Sequence, residues 1–131
     1  MKKKIIIIVA AAVLVLGGVA LFLFLPKPEP EPVITYYVPG EFFVTNIKDS
    51  TRLLKTTIVL ELTTDQETEY LTEHNHIIRD IIVFELRQKT EEELRALDVN
   101  TTLRKEIVDE LSKQMGLDYI QNIYFNDYVV Q

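Results

Sequence analysis

Cysteine and tryptophan are absent from this chain of 131 residues, and glycine occurs only four times. The absence of cysteine excludes disulfides, thiol chemistry and lipid attachment through a thiol. Gly40 and Gly116 are the only glycines beyond residue 18, so there is no glycine-rich phosphate loop and no glycine-flanked nucleophile elbow. The folded part must therefore be held together by core packing, and several familiar types of active site are excluded.

Histidine is also scarce, since only His74 and His76 are present. Side chains two positions apart on a helix point in different directions, whereas zinc ligands on one helix face are spaced as in HExxH. We therefore interpret His74 as a partly buried helix residue and His76 as a solvated one. We identify no catalytic residue, and we expect no metal, no cofactor and no small-molecule substrate.

Charged residues are absent from Ile5 to Leu25, a run of 21 residues. As a helix with a rise of about 1.5 Å per residue, this run would span roughly 31 Å, close to the thickness of a bilayer's hydrocarbon core. Lys2, Lys3 and Lys4 precede it and predict that the N-terminus stays in the cytoplasm.

A cleavable signal peptide is the alternative interpretation of this run. Its apolar region usually has only about 7–15 residues and ends in small side chains. The run here ends in alternating Leu and Phe before Pro26. We therefore expect a basic cytoplasmic segment (residues 1–4) and a retained, single-pass signal anchor of the cytoplasmic (inner) membrane (residues 5–25).

Proline alternates with charged residues from Pro26 to Pro32. This pattern favours an extended polyproline II segment, which at about 3.1 Å per residue would hold the rest of the chain roughly 20 Å from the bilayer. We interpret residues 26–40 as a stalk and lead-in, and residues 41–131 as one exported domain. Residues 33–131 carry 10 basic and 18 acidic side chains, a net charge of −8, which disfavours binding to nucleic acid.

Two segments, residues 41–48 and 52–63, predict an antiparallel hairpin. Alternation in the second segment places one set of side chains on a dry face, which makes a one-sided sheet covered by helices. Those inward side chains are Leu54, Thr56, Ile58, Leu60 and Leu62.

Three helices are predicted after the hairpin. Capping-box spacing at Thr64–Glu67 predicts a long helix ending near Arg87, with a core stripe made of Tyr70, Ile77, Ile78, Ile81 and Phe84. The same spacing at Thr90–Glu93 starts a short helix. A third helix spans about residues 101–115, with Leu103, Ile107 and Leu111 on its apolar face, and ends at Gly116 in a left-handed conformation.

The final segment, residues 119–131, predicts a closing strand. Ile123, Phe125 and Val129 would face inward, and Asn122, Tyr124, Asn126 and Tyr128 would face outward. The predicted order is β-β-α-α-α-β, an α+β fold.

Aromatic residues cluster just after the stalk, at Tyr36, Tyr37, Phe42 and Phe43. We assign Phe43 to the core. A one-sided sheet cannot bury both faces of its strands, so we predict that Tyr36, Tyr37 and Phe42 are contacts for a partner protein.

The order of these parts resembles the family of flagellar basal body-associated proteins called FliL. Similar segments are residues 43–47 with 54–62, residues 78–82 with 89–94, and residues 103–107. The most specific similarity is the final IYFNDYVVQ, which resembles the family's terminal VYFTxFVVQ. Thr45 before Asn46 departs from the family's usual Val-Asn-Leu, and the stalk is short.

This resemblance implies a non-enzymatic accessory of the flagellar motor. Members sit beside the ion-driven stator complex, help to recruit, stabilise or activate it, and have a stomatin-like (SPFH) domain that assembles into homo-oligomeric rings. One alternative is a membrane-tethered stomatin-like scaffold unrelated to motility. Another is a small tethered enzyme or metal-binding sensor, for which the sequence offers almost no residues.

Overall fold

The computed structural model describes residues 1–131, which form two compact units, residues 1–31 and residues 32–131. The first unit contains helix α1 (Lys2–Phe24), in which no side chain is buried. The helix ends where Leu25 turns to an extended conformation, because the residue before a proline avoids helical dihedrals. No regular structure is present between residues 26 and 34.

The second unit, called the C-terminal unit below, contains eight elements. In chain order these are β1 (Thr35–Tyr37), β2 (Phe43–Asn46), β3 (Leu53–Leu62), α2 (Thr68–Glu73), α3 (Asn75–Arg87), α4 (Glu91–Arg95), α5 (Val99–Met115) and β4 (Ile120–Val130). The predicted α+β class is confirmed. The predicted order β-β-α-α-α-β is wrong in two places, since β1 is an additional strand and the long helix is divided into α2 and α3.

Strand β3 is the centre of an antiparallel sheet. Strand β4 pairs along one edge of β3, while β1 and β2 share the other edge, opposite the C-terminal and N-terminal halves of β3 respectively. The predicted β2–β3 hairpin is therefore confirmed. Strand β4 has no second strand partner, so it forms an edge of the sheet.

The core lies between one face of this sheet and the helices. The five side chains predicted to face inward on β3 are all buried, as predicted. Phe43 is also buried. Helix α5 contributes Leu103, Ile107 and Leu111 at positions four residues apart, which confirms its predicted apolar face.

The predicted core stripe of the long helix needs correction. Ile78 and Ile81 are buried as predicted, but Tyr70 and Ile77 are each 37% exposed and Phe84 is 61% exposed. The buried stripe instead includes Leu71, Ile82 and Leu86. The buried stripe therefore follows the aliphatic side chains at positions 71, 78, 82 and 86, which are spaced by seven and four residues and share one helix face.

The two predicted capping boxes differ in outcome. The Thr64 hydroxyl accepts a hydrogen bond from the Gln66 amide at 3.2 Å, which makes a local turn, and α2 begins only at Thr68 without a side-chain cap. The box at α4 is confirmed, because the Thr90 hydroxyl accepts from the Glu93 amide and the Glu93 carboxylate accepts from the Thr90 amide. Gly116 has the predicted left-handed conformation, with φ of 69°.

Strand β4 contains a bulge that reverses part of its predicted pattern. Phe125 pairs with Ile58 and Tyr128 pairs with Thr56, so two residues of β4 lie opposite the single residue Thr57. The extra residue turns Tyr128 toward the core and leaves Val129 48% exposed on the opposite face. The predicted inward position of Val129 and outward position of Tyr128 are therefore wrong.

Candidate functional site

Helix α1 is the one helix in the chain long and apolar enough to cross a membrane, and its most apolar stretch of 18 residues has a mean hydropathy of 3.1. Lys2, Lys3 and Lys4 form its first turn, and no acidic residue lies there. Cations at a helix N-terminus oppose the helix dipole, so these lysines do not stabilise α1. The predicted role of these lysines in membrane topology stays a prediction.

The sheet has a second face, turned away from the helices, which we call the outer sheet face. We define its apolar part as Phe42, Val44, Leu53 and Val129, with exposed fractions of 41%, 47%, 37% and 48%. The pairing register places Val44, Lys55 and Val129 side by side across β2, β3 and β4. Neighbours in such a row stand about 4.5–5.5 Å apart, so this is a continuous surface rather than scattered side chains.

A single cation lies within this apolar surface. The Lys55 ammonium is 4.6 Å from the centre of the Phe42 ring, a cation–π contact that holds both side chains against the sheet. Beside them is a shallow depression of about 400 Å³ that also includes Thr57 and Asp127. The Thr57 hydroxyl donates to the Asp127 carboxylate at 3.1 Å, so the polar rim of the depression is already ordered.

The other end of the outer sheet face is more polar. Tyr36 pairs with Glu61 on the neighbouring strand. The Tyr124 hydroxyl donates to the Glu61 carboxylate at 2.6 Å, and this contact raises the pKa of Tyr124. This end therefore offers an aromatic and carboxylate surface, in contrast to the apolar end around Val44.

The structure separates the three aromatic residues that the sequence grouped as candidate contacts. Tyr36 and Phe42 lie on the outer sheet face. The Tyr37 side chain is only 8% exposed, and its hydroxyl donates to the Leu71 carbonyl at 3.1 Å and to Asn75 Oδ1 at 3.0 Å. Burial raises the pKa of Tyr37. The exposed surface therefore excludes Tyr37.

Three apolar residues of the outer sheet face were not singled out from the sequence. Val44 lies between buried neighbours on β2, Leu53 precedes the buried Leu54 on β3, and Val129 lies between the partly buried Tyr128 and Val130 on β4. The signal for the first two was present, since every second residue of a one-sided sheet faces away from the core. Val129 required knowledge of the bulge.

The structure places no group of three His, Asp or Glu side chains in a metal-binding arrangement. The His74 ring stacks on Tyr70 with 4.1 Å between ring centres, and its Nδ1 lies 2.9 Å from the Tyr70 carbonyl oxygen. His74 thus helps to order the junction between α2 and α3. His76 is exposed.

Together these features define a small α+β protein with a membrane-type N-terminal helix and an exposed, partly apolar sheet face. The family model of the flagellar basal body-associated protein FliL matches residues 36–131, and the chain belongs to this family. A similar protein is the flagellar protein FliL of Aquifex aeolicus (strain VF5), which is 27% identical over 91 residues. That alignment covers 68% of this chain and 56% of the relative, so the chain matches only about half of the relative's length.

Proposed function

We propose that this protein is a non-enzymatic accessory of the flagellar basal body that contacts the ion-driven stator units, stabilises or activates them, and supports motility. The observation that carries the proposal is the outer sheet face, an exposed apolar surface on the domain that matches the FliL family over residues 36–131. Fully burying one Val, Leu or Phe side chain contributes about 1.5–3 kcal/mol. Because these side chains are already about half buried, a partner gains only part of that amount from each one and must cover several of them.

The proposed topology rests on the N-terminal segment. Lys2, Lys3 and Lys4 remain in the cytoplasm, α1 stays in the inner membrane as an uncleaved anchor, and the C-terminal unit lies on the periplasmic side. The stalk from Pro26 to Pro32 is a stiff spacer between them. In this proposal the C-terminal unit has a stomatin-like (SPFH) architecture and assembles into a ring.

Cysteine labelling tests this topology cleanly, because the chain has no native cysteine. In cells whose outer membrane is permeabilised and whose inner membrane is intact, the cysteine of Glu31→Cys should react with a membrane-impermeant maleimide. A cysteine at Lys3 should react only after the inner membrane is opened. Labelling of Lys3→Cys while the inner membrane is intact, or a mature chain that starts near Pro26, contradicts the proposed topology.

The contact surface is tested by removing exposed apolar side chains from two different faces of the C-terminal unit. The double variant Phe42→Ser/Val44→Ser removes the apolar end of the outer sheet face, whereas Phe84→Ser removes the 61% exposed ring on α3. We expect the double variant to swim poorly in soft agar at a normal protein level, and we expect the α3 variant to swim like its parent. Normal swimming by the double variant would show that the partner binds elsewhere.

A further inference from the structure

Strand β4 carries a row of unpaired backbone groups along its free edge. Leu53 and Gln131 exchange two hydrogen bonds, of 2.7 Å and 3.0 Å, which fixes the phase of pairing between β3 and β4. In an antiparallel pair, every second residue directs its N–H and C=O away from the partner strand. With the bulge included, the outward residues are Ile123, Phe125, Tyr128 and Val130.

One of these outward groups already has a substitute partner. The Ile123 amide donates to Asn122 Oδ1 at 2.8 Å, so the side chain of the preceding residue takes the place of a neighbouring strand's carbonyl. A side-chain cap of this kind protects an edge amide while no strand is present. A backbone carbonyl arriving on an added strand replaces the cap without leaving the amide unpaired.

A groove lies beside this edge, between β4 and α5. It has a volume of about 300 Å³, and its lining includes Arg104, Val108 and Asn122. The groove therefore combines a strand edge, a cation and the single apolar side chain of Val108. A strand edge is the element to which an extended peptide adds in β-strand addition.

Arg104 is the unpaired charge of this groove. Its guanidinium lies 5.5 Å from the centre of the Tyr124 ring, its Nε is buried without a hydrogen-bond partner, and it forms no ion pair within the chain. Lys105, on the same wall, is paired with Asp109. The groove thus has a local positive charge on a domain whose net charge is −8.

We propose that the groove between α5 and β4 binds an extended segment of another protein by strand addition, with Arg104 receiving a carboxylate of that segment. Backbone hydrogen bonds to the β4 edge supply affinity, and a guanidinium–carboxylate contact supplies selectivity. The groove adjoins the polar end of the outer sheet face at Tyr124 but includes none of that face's apolar residues. The inference therefore does not depend on stators being the partner of the apolar part.

A second copy of this chain is the less favourable occupant of the edge. A two-fold pairing of β4 with itself centred near Ile123 would bring two Arg104 side chains to one seam, where their charges repel.

The test uses the full-length chain in detergent micelles, followed by amide NMR and hydrogen exchange. The probe is an acetylated and amidated heptapeptide of alternating threonine and valine with one central glutamate. A second peptide carries glutamine at the centre, and a third is the glutamate peptide methylated on every peptide nitrogen. We expect the glutamate peptide to slow exchange at Ile123 and Phe125, to bind at least ten-fold tighter than the glutamine peptide, and to lose binding when methylated.

Three variants separate the contributions of charge and backbone pairing. Arg104→Gln should bind both unmethylated peptides equally and no tighter than the parent binds the glutamine peptide. Lys105→Gln removes the same charge from a residue that is already paired, so it should retain the preference. Asn122→Ala removes the competing cap and should bind both peptides several-fold tighter. The amide spectrum of each variant verifies its fold.

Several outcomes would overturn the proposal. These are a glutamate peptide that leaves the β4 amides unchanged at millimolar concentration, equal binding of the two unmethylated peptides by the parent, and a preference that survives Arg104→Gln. Protection of Ile123 and Phe125 in the chain alone, lost on dilution, would identify a second copy as the occupant instead.

Discussion

Nη1 of Arg79 lies so close to the position of a β-carbon on Gly40 that the two atoms would overlap. The Arg79 guanidinium donates to the Pro39 carbonyl at 3.0 Å and to the Phe42 carbonyl at 3.2 Å, and it covers the Phe43 ring at 4.3 Å. Helix α3 therefore holds the loop between β1 and β2, and through it directs Phe43 into the core and Phe42 onto the outer sheet face.

We predict that Gly40→Ala destabilises the C-terminal unit by about 1–3 kcal/mol. Gly40 has a φ of 145°, which L side chains rarely adopt, and the new methyl group would displace the guanidinium from its two carbonyl acceptors. Chemical denaturation of the full-length chain in micelles measures the loss.

Gly116→Ala is the matched control for this change. Gly116 also has a positive φ, of 69°, but no atom lies within 4 Å of the position of its missing β-carbon. Gly116→Ala should therefore lower the free energy of unfolding by about 1 kcal/mol, the cost of placing an alanine at a positive φ. Equal losses for the two variants would show that the contact with Arg79 contributes nothing.

A double-mutant cycle between Gly40→Ala and Arg79→Met should be strongly non-additive. Arg79→Met removes the guanidinium and both of its hydrogen bonds. The bond to Phe42 is exposed to solvent, so we count only the part-buried bond to Pro39 and expect a loss of about 1.5–3 kcal/mol. Once the guanidinium is gone, the methyl group of Gly40→Ala has no clash to cause. The double variant should thus be more stable than the sum of the single losses predicts, whereas strict additivity would mean that the two residues act independently.

Glu93 and Glu85 should change the pH dependence of the free energy of unfolding in opposite directions at acidic pH. Hydrogen bonds from Thr90 hold the pKa of Glu93 below its ordinary value of 4.5, so the unfolded state binds its proton first. Stability from this cap is present above pH 4.5 and is lost as the pH falls through the lower folded-state pKa. Glu93→Gln should therefore flatten the rise of stability with pH.

Glu85→Gln should steepen that rise. Desolvation, then the charges of Glu110 and Glu106, raise the pKa of Glu85, so the folded state binds its proton more tightly. Its contribution is present below pH 4.5 and is lost as the pH rises through the higher folded-state pKa, which opposes the effect of Glu93. Thermal unfolding of both variants and the parent between about pH 3 and pH 7 measures the slopes, and slopes that change in the same direction contradict the assignment.

Local patterns predicted the elements whose period is uninterrupted. The alternation of β3 and the four-residue repeat of α5 each identify a buried face without knowledge of any other segment. The short strand β1 was missed because its three residues become a strand only by pairing with Leu60–Leu62, which lie far along the chain. Burial of Tyr37 was missed for the same reason, since its hydroxyl acceptors, Leu71 and Asn75, belong to the helix layer.

The outer sheet face and the β4 groove depended even more on register. Phe42 was identified from its aromatic ring, but its neighbours Val44 and Val129 become one surface only when three strands are aligned. Arg104 carried no local signal, because its lack of an ion pair is a property of the folded chain. A sequence pattern reports which residues share a face of one element, whereas a binding surface is assembled from several elements.

The bulge in β4 predicts that Tyr128 stabilises the core more than Val129 does, whereas simple alternation along the strand would predict the opposite. Tyr128 is directed to the core, where its ring meets Phe125 edge-on at 6.0 Å between centres and its hydroxyl donates to the Leu94 carbonyl at 3.1 Å. Val129 lies on the outer sheet face. Tyr128→Ser should therefore destabilise the unit by about 1–3 kcal/mol, less than a fully buried aromatic residue would lose, whereas Val129→Ser should change stability by less than about 0.5 kcal/mol.

The two substitutions should also separate stability from function. Val129→Ser should lower swimming in soft agar while the protein unfolds at the parent's denaturant concentration, because it removes apolar surface from the proposed partner contact without opening the core. Tyr128→Ser should lower both, in proportion to the folded protein that remains. If Val129→Ser proved the more destabilising of the pair, β4 would have the unbulged register, and Val129 would belong to the core instead of the outer sheet face.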